Sequence, residues 1–321
     1  MMKRRLACAV LGLCSLMPAW AQDKFPEGTL KLVVPFAAGG GVDQAARLLS
    51  RQLQTDLGIA VIVDNRAGAS GTVGGKAVQM AAPDGMTLLF SAATHVLAKQ
   101  VLANAPYDPQ TDFAPVARVG EAPLMLVIPA TAPQKTLKEV LDAARAQPDK
   151  WTVALPALGA PSHLGTLLLA QQGQLKLTMA PYRGTAPALA DVAGGHAQLL
   201  LDSIISLQGM AKGGKVKAIM VSSSQRSGVA PDVPTAVESG YPGMVYNSWY
   251  GVWAPKGTPA DRVQFWHKAI NKATAQLARS GAYTALGILP VLETTEQFRQ
   301  FVATDVTRSA QLLKEAGFKP E

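Results

Sequence analysis

Two glycine loops, each set between an apolar strand-like run and a helix-like pattern, constrain this chain most. The first reads VVPFAAGGGVD over residues 33–43, and the second VDNRAGASGT over residues 63–72. Glycine lets the backbone come close to a ligand, and a helix start leaves N–H groups without acceptors. Helix starts also carry partial positive charge, so such loops favour anions. Neither loop is followed by a nucleophile, a metal-ligand set or a general-base pair, which points to holding a small anion intact. Nor is either a phosphate-binding P-loop. Gly75-Lys76 is followed by Ala77 rather than Ser or Thr, and Ser70 stands where the first glycine should be.

The first residues read as an export signal. Lys3, Arg4 and Arg5 precede a short apolar run over 6–17, and Ala19-Trp20-Ala21 has the small-x-small cleavage pattern. Cleavage after Ala21 is expected, leaving a soluble exported protein. Both cysteines, Cys8 and Cys14, would leave with it, so no disulfide, cysteine metal site or thiol nucleophile is expected. Three of the 30 basic residues would be removed and none of the 22 acidic ones, so the net charge falls from +8 to +5. That mild charge, with no dense basic run among aromatics, argues against nucleic acid as a partner and suits the gathering of anions.

With 321 residues, two lobes are expected. Strand-like runs at 30–36, 60–63 and 86–91 alternate with helical spacing, as at Val42, Ala45, Ala46, Leu49 and Leu53. Further strands are expected at 124–128, 151–155, 175–179, 197–201 and 249–253. Helices are expected from near Ser162, Thr185, Ser203 and Pro259, and over 295–316 before Gly317. The alternation argues for parallel sheets covered by helices, with ligands beyond the carboxyl ends of the strands.

The order and spacing of several segments resemble a known family. They are VVPFAAGGGVDQAARLL (33–49), VIVDNRAGASGTVGG (61–75), APDGMTLLFS (82–91), PYDPQTDFAPVARV (106–119), PYRGTAPALADVAGGHAQLLL (181–201), PDVPTAVESGYPG (231–243) and WYGVWAPKGTP (249–259). The chain resembles the Bug proteins, extracytoplasmic solute-binding subunits of tripartite tricarboxylate transporters, from about residue 30 to 318. The resemblance implies an α/β, type II periplasmic-binding-protein fold, with two lobes joined by a hinge and the ligand in the cleft. The division expected is a signal peptide (1–21), the first part of lobe 1 (22–125), lobe 2 (126–246) and the returning part of lobe 1 (247–321).

It also implies a periplasmic monomer that captures a small carboxylate without catalysis or cofactor and passes it to membrane subunits. A dicarboxylate, an aromatic acid or an acidic amino acid would all fit. Carried onto this chain, the ligand-facing residues are Phe36, Ala37, Gly39, Gly40, Gly41 and Val42 from the first loop, and Ala69, Ser70 and Gly71 from the second. Ser91, Ala92 and Thr94 follow the third strand. Lobe 2 supplies Ala160, Ser162, His163, Tyr182, Arg183, Gly184, Thr185 and Asp202. The family commonly has a Thr or Ser where this chain has Val42, so one hydroxyl donor is absent.

Other readings stand beside these. Phe36 fits core packing as well as ligand contact. Asp43 suits the first helical turn better than an anion site. Ser162-His163 invites an exported hydrolase as the alternative, although adjacent residues are poor triad partners and no G-x-S-x-G elbow is present. Ser162 fits a helix cap equally. Arg183 could fork a second carboxylate or be a solvated charge. Asp202 could cap a helix or, facing the cleft, favour an amine-bearing ligand. His95 could edge the pocket, whereas His267, Trp249, Tyr250 and Trp253 fit packing roles. A sensor that hands its solute to a membrane receptor would share all these features.

Overall fold

Apolar runs rich in Val, Ile and Leu become strands because both of their faces are covered. The computed structural model describes residues 25–321; the proposed signal peptide and both cysteines lie outside the described residues. The chain begins β1 (Thr29–Val34), α1 (Gly41–Leu57), β2 (Ala60–Asn65), α2 (Thr72–Gln79), β3 (Thr87–Ala92), α3 (Ala93–Val96) and α4 (Ala98–Val101). A long β4 (Phe113–Pro129) leads to α5 (Leu137–Ala146), β5 (Thr152–Leu155), α6 (Pro161–Gly173), β6 (Thr178–Pro181), α7 (Thr185–Ala193), β7 (Leu200–Ser203), α8 (Ile204–Lys212) and β8 (Val216–Val221). The chain closes with β9 (Asn247–Pro255), α9 (Ala260–Arg279), α10 (Ala282–Leu286), β10 (Leu289–Pro290) and α11 (Thr295–Glu315).

Two strands organise the molecule. The first half of β4 pairs antiparallel with β9, which pairs with β3, then β1 and β2. From Leu124 onward the same strand pairs instead with β7 and β8. β9 begins at Asn247 opposite Pro123, so it starts beside the point where β4 exchanges its partners. The pairings β1 with β2, β1 with β3, and β5 with β6 are parallel, as the alternation predicted. The crossing strands are antiparallel, which the alternation did not predict.

Apolar cores lie on both faces. On β4, Met125 and Val127 face one core while Leu124, Leu126 and Ile128 face the other. The expected strand at 175–179 forms instead at Thr178–Pro181, because Gln174 caps α6 in the left-handed region with φ 51° and the chain turns before extending. Pro259 is the N-cap of α9 rather than part of its first turn. No helix among the described residues is long and apolar enough to cross a membrane.

Candidate functional site

One cavity between the lobes is ringed by helix starts. Its lining includes Gly40, Gly41 and Val42 at the start of α1, Ala160 and Pro161 at α6, Gly184 and Thr185 at α7, and Ser203 and Ser206 at α8. The N-caps of these four helices are Gly40, Ala160, Gly184 and Ser203, and none makes a side-chain cap bond. Among the described α-helices only α5 and α11 carry side-chain caps, from Thr136 and Thr294, so what sets these four starts apart is their convergence on one cavity. The four uncapped starts leave first-turn N–H groups without intrahelical acceptors. Each carries roughly half a positive charge, so together they favour an anion between them. The cavity holds about 450 Å³ of space between atoms, part of it open to solvent.

The first glycine loop is held open by Asp43. Its Oδ2 accepts the Gly39 N–H and Arg47 Nε, each at 2.9 Å, and its Oδ1 accepts Asn65 Nδ2 at 2.9 Å. Asn65 Nδ2 also donates to the Phe36 carbonyl at 3.1 Å, tying the loop to the end of β2. Burial pushes the Asp43 carboxyl up, but the hydrogen bonds from Arg47, Gly39 and Asn65 outweigh it and hold it below the usual carboxylate range. Asp43 therefore braces the loop. The Gly39 N–H is spent on that brace, and Gly39 and Ala37 do not line the cavity.

The loop also needs its glycines for the approach of the other lobe. A Cβ at Gly41 would lie 2.8 Å from Ser206 Oγ, and one at Gly40 would lie 3.7 Å from Thr185 Oγ1. Gly184, with φ 128°, comes within 3.5 Å of Ala37 in the same sense.

The second loop behaves differently. Gly68, Ala69, Ser70 and Gly71 all have positive φ, a strained run for the two non-glycine residues. Ala69, Ser70 and Gly71 lie outside the cavity lining. Gly71 backs the Phe36 ring, which is half-buried against the core and also lines the cavity. Ser70 Oγ accepts the Leu158 N–H at 3.2 Å.

The remaining predicted residues divide in the same way. Ala92, Thr94, Ala160, Gly184, Thr185 and Asp202 line the cavity. Ser91 and Ser162 are fully buried outside the lining, with hydroxyls that have no partner. Ala160 rather than Ser162 takes the cap position of α6. His163 Nδ1 accepts the Gly159 N–H at 3.1 Å, and its ring packs on Phe318. Burial pushes this imidazole down to about 4, so it is neutral. No Ser162–His163 hydrogen bond forms and neither residue lines the cavity, which removes the geometry a hydrolase would need. Tyr182 donates to Asp191 at 2.6 Å, and Arg183 is exposed; both lie outside the lining. His95 is likewise buried away from it, among Tyr107, Phe113 and Trp253.

Pro161, inside the expected stretch 160–163, also lines the cavity, and six lining residues were not marked as ligand-facing by the sequence: Pro156, Ala157, Ser203, Ser206, Ser248 and Tyr250. Tyr250 OH donates to Ser203 Oγ at 2.7 Å, bridging β9 and the start of α8. The signal that could have found Ser203 and Ser206 is the serine pair one helical turn apart at the strand end, Ser203-Ile204-Ile205-Ser206.

The profile described as the tripartite tricarboxylate transporter family receptor matches residues 45–318. The chain belongs to this family. It is 36% identical to the protein BugT of Bordetella pertussis over 299 residues, covering 92% of each chain. Among solved structures it is similar to the periplasmic binding protein BugD, with a TM-score of 0.88 at 34% identity, covering 92% of this chain and 100% of that one. It is also similar to MatC from Rhodopseudomonas palustris with bound malate, with a TM-score of 0.84 at 34% identity, covering 90% of this chain and 100% of that one. The two-lobed fold is that of the Bug proteins, and the chain is a solute-binding protein rather than an enzyme.

Proposed function

We propose that this protein captures a small carboxylate outside the cytoplasm and presents it, unchanged, to the membrane subunits of a tripartite tricarboxylate transporter. The observation that carries this reading is the convergence of four uncapped helix starts, from both sides of the cleft, on one cavity. The malate held by MatC supports it from the side of the relatives.

In this reading the N–H groups at Gly41 and Val42 hold one carboxylate, helped by those at the starts of α6 and α7. Phe36 covers the ligand's body. Bringing four like-charged helix ends together opposes closure of the empty protein, and an anion between them reverses that balance. The lobes divide near 125/126 and 246/247, close to where β4 exchanges β9 for β7 and β8 and where β9 begins. Residues 1–21 are removed on export to the periplasm, and the protein works as a monomer.

Native mass spectrometry of freshly purified protein, followed by a thermal-shift panel of carboxylates, tests this. A true ligand at 100-fold over its Kd adds about 2.7 kcal/mol, which raises Tm by several degrees. Chemical conversion of the ligand by the purified protein would overturn the reading.

A further inference from the structure

Among the described residues, Asp202 is the one charged side chain lining the cavity. It is only 8% exposed. Its Oδ2 accepts the Thr185 hydroxyl at 2.5 Å, and the Ser203 N–H also bonds to it. Among the described residues no Lys, Arg or His forms an ion pair with it. Both of its protein partners are donors, so the group is held as an acceptor. Burial pushes its carboxyl up to about 6, which still leaves it ionised at pH 7.5. A buried carboxylate without a cation is costly unless something pairs with it, and its open side is the cavity.

Position narrows what that partner is. Thr185 Oγ1 lies 3.7 Å from where a Cβ would sit at Gly40, and 2.5 Å from Asp202 Oδ2. The Thr185 hydroxyl therefore sits between the first glycine loop and the Asp202 acceptor, and all three border one cavity. One small ligand in this cavity can therefore present a carboxylate to the loop and a donor group to Asp202. A second carboxylate at the same place would face Asp202 with like charge. Nearby, Thr94 Oγ1 and Ser206 Oγ have no protein partner and are free to complete the ligand's hydrogen bonds.

We propose that Asp202 reads a donor on the carbon next to the captured carboxylate, so that the ligand is a 2-amino or 2-hydroxy acid, with the ammonium form preferred. This rests on the carboxylate-capture reading and narrows it.

The test is calorimetry at pH 7.5 on three matched series: succinate, L-malate and L-aspartate; propionate, L-lactate and L-alanine; 3-phenylpropionate, L-3-phenyllactate and L-phenylalanine. In each scaffold that binds, affinity should rise from hydrogen to hydroxyl to ammonium. The ammonium form should gain at least about tenfold over hydrogen, as expected for a charged hydrogen bond. Asp202→Asn should bring the three within a few-fold of one another. An unsubstituted acid that binds as tightly as its amino counterpart overturns the inference and leaves carboxylate capture standing. A ranking unchanged in Asp202→Asn overturns it too. Binding of none of the nine overturns both. Should Asp202→Asn fail to fold, the wild-type ranking alone decides.

Discussion

The Leu158 N–H donates to Ser70 Oγ at 3.2 Å, joining the loop before α6 to the second glycine loop across the cleft. Neither residue lines the cavity, but Pro156, Ala157 and Ala160 on either side of Leu158 do. Gly159 makes the same crossing, fitting closely against Leu97 and Val101. His163 secures it from behind through the Gly159 N–H. The second loop thus favours the closed arrangement without touching what is enclosed.

Ser70→Ala is expected to weaken ligand binding through closure alone. The lost bond is worth about 0.5–1.5 kcal/mol, or roughly a 2- to 13-fold rise in Kd. The unliganded protein should unfold at nearly the wild-type temperature. Calorimetry with the best carboxylate, together with the radius of gyration by small-angle scattering, checks this; an unchanged Kd would refute it.

Gly41→Ala should lower affinity because the new methyl meets Ser206 Oγ, 2.8 Å away, only when the lobes close. Adding Ser206→Ala removes the obstructing atom and should restore part of the loss. A double-mutant cycle in ligand affinity measures that coupling. Strictly additive losses would show that the two positions do not meet on closure.

Asp43→Ala should lower affinity although the carboxylate braces the loop rather than touching a ligand. The Gly39 N–H, Arg47 and Asn65 all lose their acceptor. A stability loss of about 1–3 kcal/mol is expected for buried donors left unpaired. Because the native carboxyl titrates below its ordinary value, the stability it contributes is present at neutral pH and is lost as pH falls below about 4. Urea unfolding at pH 7 and pH 3 should show the variant's deficit shrinking at the lower pH.

Asp202 has the opposite sign. Its native carboxyl is raised from 3.8 to about 6, chiefly by burial, so the folded state binds that proton more readily than the unfolded chain. Its contribution to ligand-free stability therefore falls as pH rises from about 4 to 6. Asp202→Asn should stabilise the empty protein at pH 7 by up to about 3 kcal/mol. Calorimetric unfolding across pH 4–8 tests this, and a variant less stable at pH 7 would contradict it.

Much of this arrangement was legible in the chain. The first glycine loop, the strand ends at Ala92 and Asp202 and the helix start at Gly184-Thr185 are local patterns, and all of them reach the cavity. What escaped depends on distance or on backbone choice. Tyr250 and Ser248 arrive on β9, which returns from the far end of the chain to lie beside β3 and β4. Ala69 and Ser70 adopt positive φ against their intrinsic preference, so nothing in their residue types announced that the second loop turns away from the cavity. The first half of β4 was missed because Pro115, Gly120 and Pro123 interrupt its apolar pattern.

The most direct measurement of the central claim is a crystal structure of the protein with its tightest-binding carboxylate. The account predicts ligand carboxylate oxygens within about 3.2 Å of the backbone nitrogens of Gly41 or Val42, with the lobes closed as described. A carboxylate held elsewhere, with those N–H groups turned toward protein acceptors, would contradict it.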